Sequence, residues 1–430
     1  MLQHPNDGRI RQVVLTRPSD VRFTPIAEGI LEDTRPLVSV RLSAVPAPER
    51  HGEGHMTTFT GDHHLDVDAL GVSIRIDGSG LPPLDLEQLA EAWSGARSSS
   101  ELAPVATVTP RPRFHFDDTV ADITTQVTLA ALAARRGEIW MVHAGAVADE
   151  HGRVVMFSGR SGMGKTTLMS RLAREFAYVT DESVGVDARG GVLAYRKPLS
   201  IIDDAARAKR QASPAGLGLR ELPDAPLRLH AIVVLDRAEI DTPARLEPLD
   251  VADALGAIAP QCSYLSELDA PLRTIVGHIE GVGGALRLRY REAEDTVALV
   301  RAVFAAPPRT PLAFTAPQTP IREAAARGFG RTPVLDALSI DGDRLVLLRR
   351  SADDETAVHI IDGVGPALWW AADGVSFDEL VAAAVRRHGI PADGDAASAV
   401  RSAVEALCAA GLIEERPGAE GAGESGRRFG

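Results

Sequence analysis

The sequence predicts a multidomain protein in which an α/β domain lies between an α+β N-terminal domain and a winged-helix-like C-terminal domain. Strand-like and helix-like segments alternate from about residue 120 to residue 305, the pattern of layered α/β domains. A proline-rich stretch follows, and beyond it two strand-like segments precede three helical ones. With 430 residues, 45% of them hydrophobic, the chain is long enough for two or three domains with their own cores.

The predicted division has five parts. They are an α+β domain (1–120), an α/β domain (121–305), a linker (306–332), a winged-helix-like domain (333–415) and a disordered tail (416–430). The first domain is predicted from β-prone runs at 13–15, 37–42 and 72–76 and from a helical pattern at 84–93. The linker is predicted from its proline density, which disfavours a packed element.

Within the α/β domain, apolar runs and helical periodicity predict the order of elements. The predicted helices are 123–136 and 166–174, and the predicted strands are 139–143, 154–157, 176–180 and 231–236. In the last domain, 344–348 and 356–361 predict strands. Ser376 and Glu379 form a capping box that begins the second of the three helices.

A glycine-rich motif stands between the predicted strand 154–157 and the helix that follows. Residues 159–166, GRSGMGKT, match the phosphate-binding pattern G-x-x-x-x-G-K-[ST] at every fixed position. Glycines allow successive backbone N–H groups to face an anion, and the helix N-terminus adds partial positive charge. The motif predicts ATP bound by Gly159, Ser161, Gly162, Gly164, Lys165, Thr166 and Thr167, with Mg²⁺ on the Thr166 hydroxyl. The alternative is a loop that serves only as a strand–helix turn.

Composition argues against several classes of protein and site. The formal net charge of −13 argues against a nonspecific nucleic-acid binder. Cys262 and Cys408 are far apart, so neither a disulfide framework nor a cysteine zinc site is predicted. The N-terminus lacks an apolar signal core and no run reaches transmembrane length, which predicts a cytoplasmic protein without a membrane partner.

Residues 120–240 resemble the core of HPr kinase/phosphorylase and its relatives. The resemblance lies in His143 and the strand around it, in the phosphate-binding loop, and in a short strand that ends in Asp181 and Glu182 soon after that loop. It implies that Lys165 and Thr166 hold nucleotide and Mg²⁺, that Asp181 is a general base, and that His143 lies near the phosphates.

Three departures from that family restrict what the resemblance implies. The acid that follows the loop's hydroxyl residue is replaced by Thr167, the second acid of the pair is Glu182, and the downstream glycine-rich signature has no counterpart. Phosphorylase activity is therefore not expected, whereas kinase activity stays open. Asp181 and Glu182 either take part in catalysis, bind Mg²⁺ through water, or cap the next turn. Asp236, after four apolar residues but before Arg237, is a rival metal-binding aspartate.

The C-terminal domain resembles the PqqD family. The matching segments are 363–374, which includes Trp369 and Trp370, then 376–380 and 409–413. Members of that family recognise the leader peptides of ribosomally made, modified peptides by adding the leader as a strand. The resemblance therefore implies a leader peptide beside 356–361 and the last helix.

Two hypotheses follow from the combined resemblances. In the first, the chain is an ATP-binding recognition protein, similar in domain order to those of daptide-type pathways. It binds the precursor leader peptide and supports peptide-modifying enzymes of the same pathway. In the second, it is a kinase that phosphorylates the precursor peptide, with Asp181 and His143 as catalytic residues and Thr166, Asp181 and Glu182 at the metal.

Overall fold

The computed structural model describes the backbone of residues 10–15 together with most of the chain from residue 63 onwards. The described ranges there are 63–99, 102–201, 210–238, 243–307, 309–310, 328–340, 344–350, 356–391 and 394–416. The predicted strand at 37–42 and all but the first residue of the predicted tail lie outside them. None of the described helices combines the length and hydrophobicity that a membrane span requires.

The N-terminal unit is a three-stranded sheet covered by two helices. β1 (Ile10–Leu15) precedes this unit in the chain and pairs with a strand of the C-terminal unit. The elements of the N-terminal unit are β2 (His64–Ala69), β3 (Val72–Asp77), α1 (Pro83–Ala92), β4 (Ala106–Val108) and α2 (Phe116–Ala134). β2 and β3 form a tight antiparallel hairpin, and β4 pairs parallel with β3. Apolar side chains of α2, among them Val120, Ile123 and Val127, pack with this sheet, so α2 belongs to the N-terminal core.

The central unit contains a nine-stranded mixed sheet. Its strands are β5 (Trp140–Ala148), β6 (Arg153–Ser158), β7 (Ala177–Thr180), β8 (Ser183–Val186), β9 (Val192–Leu193), β12 (Arg228–Arg237), β13 (Arg245–Leu249), β14 (Cys262–Ser263) and β15 (Ala285–Tyr290). A separate hairpin consists of β10 (Leu199–Ile201) and β11 (Arg210–Ala212). The helices are α3 (Lys165–Leu172), α4 (Val251–Ile258), α5 (Pro271–Gly281) and α6 (Val297–Ala305).

Strand order in this sheet positions the glycine-rich loop. The order is β13-β15-β12-β6-β5-β8-β9, and β7 and β14 also pair with β5. β6 is parallel to β12 and antiparallel to β5, so the loop after β6 emerges between them at the middle of the sheet. α3 and α6 cover one face, and α4 and α5 cover the other.

The C-terminal unit has two small sheets and three helices. Its elements are β16 (Gly328–Arg331), β17 (Asp336–Ile340), β18 (Arg344–Arg350), β19 (Thr356–Ile361), α7 (Gly365–Ala371), β20 (Asp373–Val375), α8 (Phe377–His388), α9 (Ala396–Ala409) and β21 (Ile413–Arg416). β16 lies inside the range assigned to the linker, because it pairs with β20 and β21. β21 likewise extends to Arg416, the first residue of the predicted tail.

The central strand β18 is buried on both faces of its sheet, which explains its unbroken apolar run from Leu345 to Leu348. Leu345 and Leu347 of β18 pack against α7–α9, whereas Val346 and Leu348 pack into the core that contains α4 and α5. The mixed α/β architecture predicted from the sequence is confirmed. The winged-helix assignment of this unit stays a prediction.

Candidate functional site

The glycine-rich loop joins β6 to α3 and depends on two left-handed glycines. Gly162 and Gly164 have φ angles of +83° and +80°, a region that residues with a Cβ rarely adopt. Gly164 is the N-cap of α3, so Lys165 and Thr166 lie in its first turn. The other predicted loop residues are placed here too; Gly159 follows β6 directly, and Ser161 and Thr167 are exposed.

Lys165 folds back over its own loop. Its Nζ donates hydrogen bonds to the carbonyl oxygens of Gly159, at 2.7 Å, and Arg160, at 3.4 Å. The residue is only 7% exposed. Burial lowers the pKa of Lys165 to about 8, even though the carboxylates of Asp181 and Glu182 favour the charged form. The ammonium is therefore held at the loop without an ion pair of its own among the described residues.

The acidic pair lies beside this helix start, although it comes from a different strand. Asp181 and Glu182 follow β7, which pairs with β5 next to the loop strand. The Asp181 carboxylate accepts a hydrogen bond from the Tyr178 hydroxyl, at 2.9 Å. The fold also brings Asp181 near enough to Thr166 for that hydroxyl to help lower the pKa of the carboxyl group.

Lys197, which belongs to no sequence motif, forms ion pairs with both acids. Its Nζ lies 3.1 Å from a carboxylate oxygen of Asp181 and 3.1 Å from one of Glu182. Although burial alone would lower the pKa of Lys197, the two carboxylates raise it above its ordinary value. Lys197 is therefore a buried permanent cation that belongs to both acids.

The two carboxylates respond differently to this environment. Burial would raise the pKa of Asp181, but Lys197, the hydrogen bond from Tyr178 and the nearby Thr166 hydroxyl lower it below its ordinary value. For Glu182, burial prevails and raises the pKa, with Lys197 opposing the shift. Asp181 is therefore a stable anion with low proton affinity, whereas Glu182 is the member that protonates first.

His143 lies on β5, opposite Ser183 of β8, at the same end of the sheet. Burial, followed by the charge of Lys165, lowers the pKa of His143 to about 4. The imidazole is consequently neutral at pH 7 and adds no positive charge for phosphates. It retains a ring nitrogen that can accept a hydrogen bond or a proton.

The predicted metal set is brought together only in part. Thr166 and Asp181 lie near each other, and their hydroxyl and carboxylate oxygens are the hard donors that Mg²⁺ prefers. Glu182 is oriented towards Lys197 instead. No group of three or more His, Cys, Asp or Glu side chains with metal-binding geometry occurs in the part of the chain that the structure describes. Protein oxygens there fit Mg²⁺ only as a partial set, completed by phosphate and water.

The rival aspartate has a different environment. Asp236 is the penultimate residue of β12, and its half-exposed carboxylate pairs with Arg289 at 3.1 Å. The next residue is closer to the loop, because the Arg237 guanidinium lies 3.3 Å from where a Cβ on Gly164 would stand. Tyr290 also reaches the loop, and its hydroxyl donates to the Met163 carbonyl at 3.0 Å. Arg237 and Tyr290 thus lie at the loop although neither belongs to its sequence motif.

Comparison with known proteins gives a weak structural likeness. No family model matches the chain, and no curated protein matches it. Among solved structures, the chain is similar to the Hpr(Ser) kinase/phosphatase from Coxiella burnetii. The identity is 13%, the match covers 38% of this chain and 93% of that chain, and the TM-score is 0.22. Because this likeness is so weak, we base the functional proposal on the site itself.

Proposed function

We propose that this protein binds Mg·ATP at the glycine-rich loop and recognises the leader peptide of a ribosomally made precursor through residues 333–415. It thereby supports modification of the precursor by partner enzymes. The observation that carries the peptide part is that β19 accepts an additional strand along its outer edge, from β1. An edge that pairs with a distant segment of chain has the property that recognition by strand addition requires.

The convergence of Lys165, Thr166 and Asp181 supports the nucleotide part. A buried ammonium stands at a helix N-terminus whose loop glycines adopt the left-handed conformation. The Thr166 hydroxyl and the Asp181 carboxylate, two oxygen donors that would hold Mg²⁺, lie near each other. When bound, Mg²⁺ would screen the phosphate charge while Lys165 contacts the phosphate oxygens.

The direct test measures leader binding to the full chain. The intact chain is needed because one face of the β17–β19 sheet packs into the central core. We expect fluorescence polarisation of a labelled leader, taken from a precursor gene beside this one, to give a Kd in the micromolar range, or about −8 kcal/mol. A scrambled leader is the control. Absence of binding to every neighbouring leader, with and without Mg·ATP, would contradict the recognition role.

A kinase acting on the same precursor is the second candidate, and the position of Asp181 near Lys165 and Thr166 favours it. In that reaction the γ-phosphoryl group passes from ATP to a precursor hydroxyl, whose proton goes to Asp181, and ADP leaves. The lowered pKa of Asp181 makes it a weak base, which is why we rank this candidate second.

If the kinase role is correct, Asp181→Asn should reduce phosphate incorporation at least a hundredfold while ATP binds within a few-fold of its normal affinity. Asp236→Asn is the matched control, because it removes an aspartate that pairs with Arg289 rather than with the loop. The measurement is mass spectrometry of the precursor after incubation with Mg·ATP. Equal phosphate incorporation with the native protein and with Asp181→Asn would show that Asp181 is not a catalytic residue.

A further inference from the structure

The outer edge of β19 is occupied by the chain itself. β1 pairs antiparallel with β19 over six residues, from Ile10 opposite Ile361 to Leu15 opposite Thr356. The other edge of β19 pairs with β18, so β1 completes the sheet order β1-β19-β18-β17. β1 comes from the opposite end of the chain, and residues 16–63 separate it from β2. The edge that the proposed function assigns to a leader peptide is therefore already paired.

One buried side chain on β19, that of His359, has a ring nitrogen without a hydrogen-bond partner among the described residues. His359 is 2% exposed, and its Nδ1 has no hydrogen-bond partner in the described part of the protein. Alternation along the strand places His359 on the same face as Ile361, which packs with α7–α9. A side chain that projects from a neighbouring strand opposite residue 359 would point to this same face. β1 places Gln12 opposite His359 in the ladder.

We propose that the β19 edge is a strand-exchange site, at which the leader peptide displaces β1 and supplies a hydrogen-bonding side chain to His359. This inference rests on the proposed function, since it assumes that a leader binds at β19. It defines the partner as an extended segment of about six residues that runs antiparallel to β19 and whose side chain opposite His359 hydrogen-bonds the Nδ1 atom that is unpaired while β1 is in place.

β1 and an incoming strand can form equivalent backbone hydrogen bonds with β19, so side-chain contacts decide which of them binds. Each backbone hydrogen bond that β1 gives up can be remade by the incoming strand, so these bonds do not select between the two. β1 has the advantage of being tethered, which gives it a high effective concentration at the edge. A leader therefore needs additional binding free energy from its side chains. A hydrogen bond to the buried, unpaired Nδ1 of His359 would provide it.

Occupancy by β1 also lowers the apparent affinity of any competing strand in proportion to the fraction of molecules in which the edge is free. The expected signature is that removing β1 strengthens binding, whereas fixing β1 in place abolishes it. A peptide that bound elsewhere on the protein would be insensitive to both changes.

The experiment uses a probe taken from the chain, so that it does not depend on an identified precursor. The probe is a fluorescein-labelled peptide of residues 6–18, and a scrambled version is its control. It is titrated into the native chain, into a variant lacking residues 1–15, and into a double variant, Val14→Cys with Ala357→Cys. Residues 14 and 357 lie opposite each other in the ladder, as a cross-strand disulfide requires. Peptide mapping verifies that bond, since Cys262 and Cys408 are also present.

We expect the probe to bind the shortened variant at least tenfold more tightly than the native chain. It should not bind the oxidised double variant, and dithiothreitol should restore the native affinity. His359→Leu in the shortened variant should leave binding of the probe within a few-fold but reduce the preference for peptides with a polar residue opposite position 359. Equal affinity for the native, shortened and oxidised proteins would overturn strand exchange.

A neighbouring leader peptide, used as competitor, separates this inference from the proposed function. If the leader displaces the probe from the shortened variant, both stand. If the probe binds but no leader competes, the β19 edge is a strand-exchange site and the leader-recognition function is wrong. If a leader binds all three proteins equally, the recognition function stands and the exchange at β19 is wrong.

Discussion

Replacing Lys197 by Met should destabilise the protein by about 3–5 kcal/mol, the cost of leaving buried charge without its partner. Lys197 is 5% exposed and is the cation nearest to both Asp181 and Glu182. Without it, the low pKa of Asp181 loses its main support, and both carboxyl groups have to be neutralised or repel each other. Thermal unfolding should show a fall in Tm on the order of 10 °C.

Two further variants separate this explanation from a general packing defect. Lys197→Met combined with Glu182→Gln should recover part of the stability, because it removes one of the two buried negative charges. Arg301→Met is the exposed control: its pair with Glu175 has a similar N–O distance, 3.0 Å, but the side chains are 60% and 39% exposed. That change should cost less than about 1 kcal/mol. If Lys197→Met were no more destabilising than Arg301→Met, the buried triad would not be a stabilising unit.

Replacing Lys165 by Ala should weaken Mg·ATP binding by about a hundredfold, or roughly 2.7 kcal/mol, since it removes a charge-assisted hydrogen bond to phosphate. The folded protein should lose little stability, because within the described ranges this ammonium has no carboxylate in ion-pair contact and hydrogen-bonds to carbonyl oxygens of its own loop. Isothermal calorimetry measures the affinity. Arg174→Ala is the control for a lost positive charge just beyond the same helix, and it should leave affinity within about twofold.

The pH dependence of binding provides a second check on Lys165. Because the pKa of Lys165 is about 8 in the free protein, its ammonium loses its proton as pH rises above that value, and ATP affinity should fall between pH 8 and pH 10. Lys165→Arg keeps its charge over this range and should not show the same fall. An unchanged affinity in Lys165→Ala at pH 7 would place the nucleotide elsewhere.

Local sequence was enough to locate the loop and the elements around it. The glycine and lysine spacing of 159–166 requires a left-handed turn before a helix, and the structure has that turn at Gly162 and Gly164. Apolar runs located β6, β12 and β18 within a few residues, because a strand buried on both faces needs an unbroken apolar sequence. The capping box at Ser376 and Glu379 is formed, since both its hydrogen bonds are local.

Tertiary structure alone decided which distant side chains meet. Lys197 lies in no motif, and it reaches Asp181 and Glu182 only because the chain after β9 returns beside β7. One signal in the sequence did point to it: of 46 basic residues only Lys165, Lys197 and Lys209 are lysines. A compact ammonium suits a site between two carboxylates, whereas a planar guanidinium does not fit there equally well. The pairing of β1 with β19 was likewise invisible to local patterns, because it joins residues more than 340 positions apart through backbone bonds that carry no sequence signature.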